Sequence, residues 1–181
     1  MSAAEYLSWE KAQPVRHEFI DGKIYAMTGG SKAHNLLTGR LYAALLAHPG
    51  GGSCQVFVSD VKVQLAEAGP FFYPDIVVTC DARDAVPGYT VQYPCLVVEV
   101  LSPSTEAWDR GGKFQRLRRL PSLLEYLLVD SRQVNVELYR HPPASETWTL
   151  DTFGAGSNIL LRSVNLSVSV NALYAGVQLG D

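Results

Sequence analysis

The chain has 181 residues, long enough for one domain with a full core. Hydrophobic residues make up 47% and charged residues only 18%, and the net charge of −3 argues against holding a nucleic acid by bulk electrostatics, though not against a local basic patch. No apolar stretch approaches the ~20 residues needed to cross a bilayer, and the opening MSAAEYLSWEK lacks the basic start and apolar core of a signal peptide. No membrane partner is expected.

Residues 2–11 read as a short helix capped by Ser2, with Tyr6 and Leu7 inward. Residues 16–28 read as a hairpin turning at Asp21-Gly22. Residues 31–48 are the clearest helix: Leu37, Leu41, Ala44, Leu45 and His48 recur at helical steps, Ser31 can cap it, and Pro49-Gly50-Gly51-Gly52 stops it. A strand follows at 54–65, with a bulge near Ser59-Asp60 where the alternation breaks. Further strands are expected at 71–80 and 95–101, with a loop over 81–94 between them. A helix over 106–120 precedes two strands, 124–130 and 133–140, joined by a tight turn. The tail carries short strands around 147–151 and 158–161 and a helical ending at 164–175. Repeats and linkers are absent, so one domain, 1–181, is expected: a mixed sheet flanked by helices.

Cys54, Cys80 and Cys95 form no CxxC or Cys/His cluster, and their number is odd. All three sit in apolar, strand-like surroundings, so buried free thiols and a reducing cytoplasm are expected.

One position asks for an explanation. Glu99 lies inside the apolar run Leu96–Leu101. A buried carboxylate costs several kcal/mol unless it is paired, protonated or bound to a cation. Asp75, after Pro74 and before Ile76-Val77-Val78, and Glu18, between His17 and Phe19, are set in similar surroundings. Strands side by side could bring Asp75 and Glu99 together. Two close carboxylates need a cation or a shared proton. A hard divalent ion prefers a few carboxylates plus water and phosphate oxygens, and the backbone carbonyl of Val100 would lie beside them. Each acid also has an ordinary reading: Glu99 paired with an Arg or a backbone cap, Asp75 a strand-start residue, Glu18 a hairpin surface carboxylate.

The segment DRGGKFQRLRRL carries Arg110, Lys113, Arg116, Arg118 and Arg119, five of the chain's fifteen Lys and Arg. Phe114, Leu117 and Leu120 form its buried stripe, and Arg110, Lys113 and Arg116 share a face. A Lys just beyond paired carboxylates could orient a water or steady a pentavalent phosphate. A solvated basic face is the plainer reading. PGGGSC lacks the Lys-Ser/Thr of a phosphate loop, so no nucleotide cofactor is expected. LSPST is not a nucleophile elbow. His34, at a helix start, reads as a capping or surface residue, and His48 as a favourable charge near a helix C-terminus.

Taken together, EFIDGKIY, YPDIVV, LVVEVLSPST, DRGGKFQRL and EYLLVD, in that order, resemble the Uma-two family of restriction-endonuclease-like proteins, and Pro74-Asp75 with Glu99-Val100-Leu101 resembles the PD-(D/E)XK nuclease signature. The resemblance runs from about residue 3 to residue 175. It implies an α/β (α+β) restriction-endonuclease-like core, a central mixed sheet flanked by helices. It implies that Asp75 and Glu99, with Val100, bind Mg²⁺ or Mn²⁺, and that Glu18 is an accessory acid. The usual motif lysine falls on Leu101, which cannot act. Lys113 matches the lysine that takes its place in this family, and Asp109 matches the Asp before it. Leu117, Ser122-Leu123 and Leu127 depart from the family pattern.

The resulting expectation is a metal-dependent phosphodiesterase acting on DNA. Asp75, Glu99 and Lys113 are its catalytic residues, and Arg110 and Arg116 its phosphate contacts. Cutting both strands would call for a homodimer. The competing readings are a binding or regulatory protein that keeps the fold without hydrolysis, and a subunit of a larger nuclease complex.

Overall fold

In a computed structural model, residues 1–48, 52, 54–142 and 147–180 are described. The expected helix stop at Pro49-Gly50-Gly51 lies outside them. The helix α1 (Ala3–Glu10) leads to the hairpin β1 (His17–Ile20) and β2 (Lys23–Ala26), then α2 (Lys32–Ala47). The strands β3 (Gln55–Val58), β4 (Lys62–Gln64), β5 (Phe71–Phe72), β6 (Ile76–Thr79), β7 (Thr90–Val91) and β8 (Leu96–Leu101) follow. A helical stretch comes next: α3 (Glu106–Trp108), a π turn (Asp109–Lys113) and α4 (Phe114–Leu117). The chain closes with β9 (Glu125–Asp130), β10 (Val136–Arg140), β11 (Thr149–Phe153), β12 (Asn158–Leu161), β13 (Leu166–Ser169) and α5 (Val170–Tyr174).

Local chemistry sets the helix starts. Ser2 and Glu5 exchange hydrogen bonds in a capping box: the Glu5 N–H donates to Ser2 Oγ and the Ser2 N–H to Glu5 Oε2. Ser31 Oγ accepts from the His34 N–H at 3.2 Å and caps α2.

Two mixed sheets carry the fold. The larger has the order β11-β10-β9-β8-β6-β3, with β8 and β9 parallel and the other pairs antiparallel. The smaller has the order β2-β1-β5-β4-β7. The alternation of β8 divides its side chains between two cores. Leu96, Val98 and Val100 pack with Leu37 and Leu41 of α2, while Val97 and Leu101 pack with Phe114 and Leu117 of α4. Each such side chain, fully buried, contributes roughly 1.5–3 kcal/mol. By parity Glu99 belongs to the second face, under the 106–117 stretch.

The expected strand 54–65 is two strands in two sheets. Where a bulge was expected, Ser59 takes a left-handed backbone (φ 56°) and the chain passes from β3 in the large sheet to β4 in the small one. The expected strand 71–80 divides likewise, β5 in the small sheet and β6 in the large, around Tyr73-Pro74-Asp75. The two crossings touch: the Ser59 N–H donates to the Asp75 carbonyl at 3.0 Å. In the tail, 166–169 is a strand and not helix, because Val168 pairs across from Ile159 and both are buried.

The free-thiol expectation fails for two of the three cysteines. In the β3–β6 ladder Gln55 faces Thr79, which makes Cys54 and Cys80 the next opposed pair, and they form a disulfide. Cys95 remains a buried thiol, 3.6 Å from the Cys80 sulfur, and burial pushes its pKa up to about 11. The free thiols thus no longer argue for a reducing compartment. Among the described residues no helix is long and apolar enough to cross a membrane.

Two checks follow from this frame. Alkylation of the unfolded chain should modify one cysteine without reductant and three with it, read by mass spectrometry. Asp130 ends β9 fully buried. Burial opposes its charge, but hydrogen bonds from the Arg132 N–H and Gln133 Nε2, both 2.9 Å, outweigh that and hold its pKa below the usual value. Its stabilising contribution is therefore complete above the unfolded pKa of ~3.9 and is lost as pH falls through the folded value. Asp130→Asn should lower stability by ~1–2 kcal/mol at pH 7, and the gap in urea midpoint to wild type should narrow at pH 3.

Candidate active site

The β6–β8 register builds the site. Ile76 faces Val98, so Asp75, one step beyond the ladder, stands across from Glu99. The Asp75 N–H points to Glu99 Oε2 at 3.4 Å, and the Val100 N–H donates to Asp75 Oδ2 at 2.7 Å. Like charges directly opposed on a sheet repel. Something positive has to stand beside them.

Lys113 does. An ordinary helix through DRGGK would spread Arg110, Lys113 and Arg116 along one face. The π turn at Asp109–Lys113 instead buries Asp109 and Lys113 together, in a helix distortion common at functional sites. Lys113 Nζ lies 2.8 Å from Glu18 Oε1 and 2.8 Å from Glu99 Oε1. Glu18 Oε1 also accepts from the Tyr73 N–H at 3.1 Å. The Asp109 carbonyl accepts from the buried Tyr126 hydroxyl at 2.9 Å, and its carboxylate is hydrogen-bonded by Thr105.

Glu18, Glu99 and Asp109 thus crowd one ammonium, with Asp75 beside Glu99. Burial, followed by the charges of Asp109 and Asp75, raises the pKa of Glu99 well above the usual carboxylate value, against the pull of Lys113. Burial also raises that of Asp109, again against Lys113. Burial alone would lower the pKa of Lys113. Glu18, Glu99 and Asp109 more than reverse this, so the ammonium stays charged.

His34 was read from sequence as a cap or surface residue, and the structure brings it into the site. Its Nε2 is 3.2 Å from Asp75 Oδ2. Burial opposes its positive charge, but the Asp75 hydrogen bond and charge, with Asp109 and the Val100 backbone, raise its pKa overall. Gly30 makes room for the ring: a Cβ there would come within 2.6 Å of His34 Nδ1. The sequence signal was slight, a histidine in the first turn after a Gly-Gly-Ser cap.

Lys113 leaves the face it was expected to share with Arg110 and Arg116, while Arg118 and Arg119 are exposed. Arg110 makes a two-pronged pair with Glu137, at 2.7 and 3.1 Å, and also pairs with Glu106. Arg116 pairs with Asp21 at 2.7 Å and donates to the Gly112 carbonyl at 3.3 Å. Both guanidinium groups are engaged by the chain's own carboxylates. Glu18 is turned to Lys113 and Tyr73, which makes it a holder of the lysine.

The site opens on a cleft of about 540 Å³ that Glu18, His34, Asp75, Glu99, Asp109 and Lys113 help to line. Among the described residues no three His, Cys, Asp or Glu side chains converge as a ready-made metal cage. The donors that could serve a metal are Asp75, Glu99 and the Val100 backbone. That set fits a hard cation that keeps waters and takes substrate oxygens, and does not fit one that needs a closed shell of protein ligands.

This mixed-sheet core, with an aspartate and a glutamate opposed across its central strands, defines the class: a restriction-endonuclease-like α/β protein. A family profile described as "Putative restriction endonuclease" matches residues 3–171. The chain belongs to that family, Uma2. It is similar to two uncharacterized proteins of Synechocystis sp. One is 45% identical over 177 residues, 98% of this chain and 93% of the relative; the other is 38% identical over 146 residues, 77% of this chain and 80% of the relative. Its fold matches a crystal structure from Anabaena variabilis, described as a putative nuclease belonging to DUF820. The TM-score is 0.79 over 98% of this chain and 99% of that one, at 17% identity.

The lysine is the testable centre of this arrangement. Lys113→Met leaves buried carboxylates without their cation and should destabilise the fold by about 3–5 kcal/mol. The double variant Lys113→Met/Glu99→Gln should recover part of that loss in chemical denaturation.

Proposed function

We propose that this chain hydrolyses DNA phosphodiester bonds with the help of a divalent cation, Mg²⁺ or Mn²⁺. The observation that carries this reading is the opposition of Asp75 and Glu99 beside a permanently charged lysine at an open cleft. Asp75, Glu99 and the Val100 carbonyl would hold the ion. Bound there, it would supply a water of lowered pKa and draw charge from a phosphoryl oxygen.

The chain's own groups take the remaining tasks. Lys113 keeps its proton, so it is no general base. Of the three hydrogens on its Nζ, two meet Glu18 and Glu99, which leaves one to meet a phosphate oxygen as negative charge develops. Glu18 and the Tyr73 N–H fix the position of that ammonium. His34 holds Asp75 Oδ2 from the cleft side, so the carboxylate meets a ligand in one orientation. The acidic crowding itself supports cation binding, since a divalent ion relieves repulsion that Lys113 and His34 leave uncompensated.

Calorimetric titration of Mg²⁺ and Mn²⁺ into wild type, Asp75→Asn and Glu99→Gln tests the reading, with plasmid nicking on the same samples. Wild type should bind metal and nick, and each variant should lose both, with nicking reduced ~10²-fold or more. Wild type that binds no metal, or that binds it and cleaves neither plasmid nor single-stranded DNA, sinks the proposal.

A further inference from the structure

The cleft has a half that ion and lysine do not use. Its lining also includes Ile20, Met27, Trp108 and the exposed Tyr25. Trp108 is half-buried. It packs on Gly112, where a Cβ would come within 2.0 Å of Cζ3, so only glycine leaves room for the indole. Phe72 lies behind it, ring centroids 6.5 Å apart, and the Arg116 guanidinium sits 5.6 Å from the ring. The indole directly precedes the π turn that carries Lys113, so aromatic wall and ammonium are parts of one continuous helical stretch.

Charge points the same way. Duplex DNA is held mainly through many phosphates by free Lys and Arg. Here Arg110 and Arg116 are engaged by Glu106, Glu137 and Asp21, and the cleft carries Glu18, Asp75, Glu99 and Asp109 against Lys113 and His34. Arg118 and Arg119 are exposed but do not line the cleft, so within it two rows of phosphates find little to attract them. An unpaired nucleotide presents one phosphate and one π-face, and stacking on an aromatic side chain then supplies what electrostatics lacks. The cleft's 540 Å³ is of the size that holds one small molecule.

We propose that the cleft seats an unpaired nucleobase against Trp108, so that the site acts on single-stranded or locally opened DNA. This rests on the nuclease reading and names its substrate class. On a single strand one copy of the chain is enough, and the expected homodimer is not needed for cutting.

The test is binding, measured apart from cleavage. Fluorescence anisotropy, with Ca²⁺ as the added cation, compares a labelled single-stranded deoxyoligonucleotide, the same strand in a duplex, and the same strand carrying abasic positions. The intact single strand should bind about tenfold tighter than either. Trp108→Ala should weaken single-strand binding about tenfold, Trp108→Phe much less, and 2-aminopurine in the strand should be quenched by wild type and not by Trp108→Ala. The abasic comparison uses wild type alone, so it decides the matter even where Trp108→Ala fails to fold. Equal affinity for duplex, indifference to the missing bases, or no measurable binding overturns the proposal. Tight single-strand binding without cleavage in Mg²⁺ sinks the nuclease reading and leaves the base pocket; plasmid nicking without single-strand preference does the reverse.

Discussion

The ammonium of Lys113 between Glu18 and Glu99 is the contact on which the arrangement depends. Glu18 comes from β1 of the small sheet, Glu99 from β8 of the large one, and Lys113 from the helical stretch above both. One buried charge therefore ties three elements that share no backbone hydrogen bonds at that point. A buried ion pair of this kind contributes little net stability once desolvation is counted, and its loss on one side costs much more. Its worth lies in specification. The carboxylates cannot be buried without the lysine, and the lysine reaches them only when helix and sheets are docked in this one way.

The acids are brought to that lysine by a change of sheet. β3 to β4 and β5 to β6 both leave one sheet for the other, and the Ser59 N–H to Asp75 carbonyl bond joins the crossings. Asp75 lies one step before β6, in the crossing between the two sheets. The same ladder logic that opposes Asp75 to Glu99 opposes Cys54 to Cys80 at the far edge. In one place the register brings together two charges that repel, and in the other two sulfurs that bond.

The helical stretch solves a separate problem. A regular α-helix would present Arg110, Lys113 and Arg116 as one basic face. The π turn removes Lys113 from that face, and the two arginines then find Glu106, Glu137 and Asp21. The cleft is left acidic and aromatic. A site with this balance favours a cation and a planar, weakly charged group over a long row of phosphates.

Much of this was legible in the chain itself. Apolar runs marked β6, β8 and β9; Ser2 and Ser31 marked two helix starts; and a lone carboxylate in Leu96–Leu101 marked the site. The family motifs named Asp75, Glu99 and Lys113 and the fold that would hold them. What stayed hidden depended on partners distant in sequence. The break in alternation near Ser59-Asp60 marks where 54–65 divides, but not that its halves belong to different sheets. The disulfide needs the register between β3 and β6. The pairing of Arg110 with Glu137, and of His34 with Asp75, needs side chains that meet only after the sheets close. Local periodicity and residue chemistry determined which elements form and which residues are out of place in them. Tertiary structure alone decided which charge answers which, because that depends on distances across space that no spacing along the chain contains.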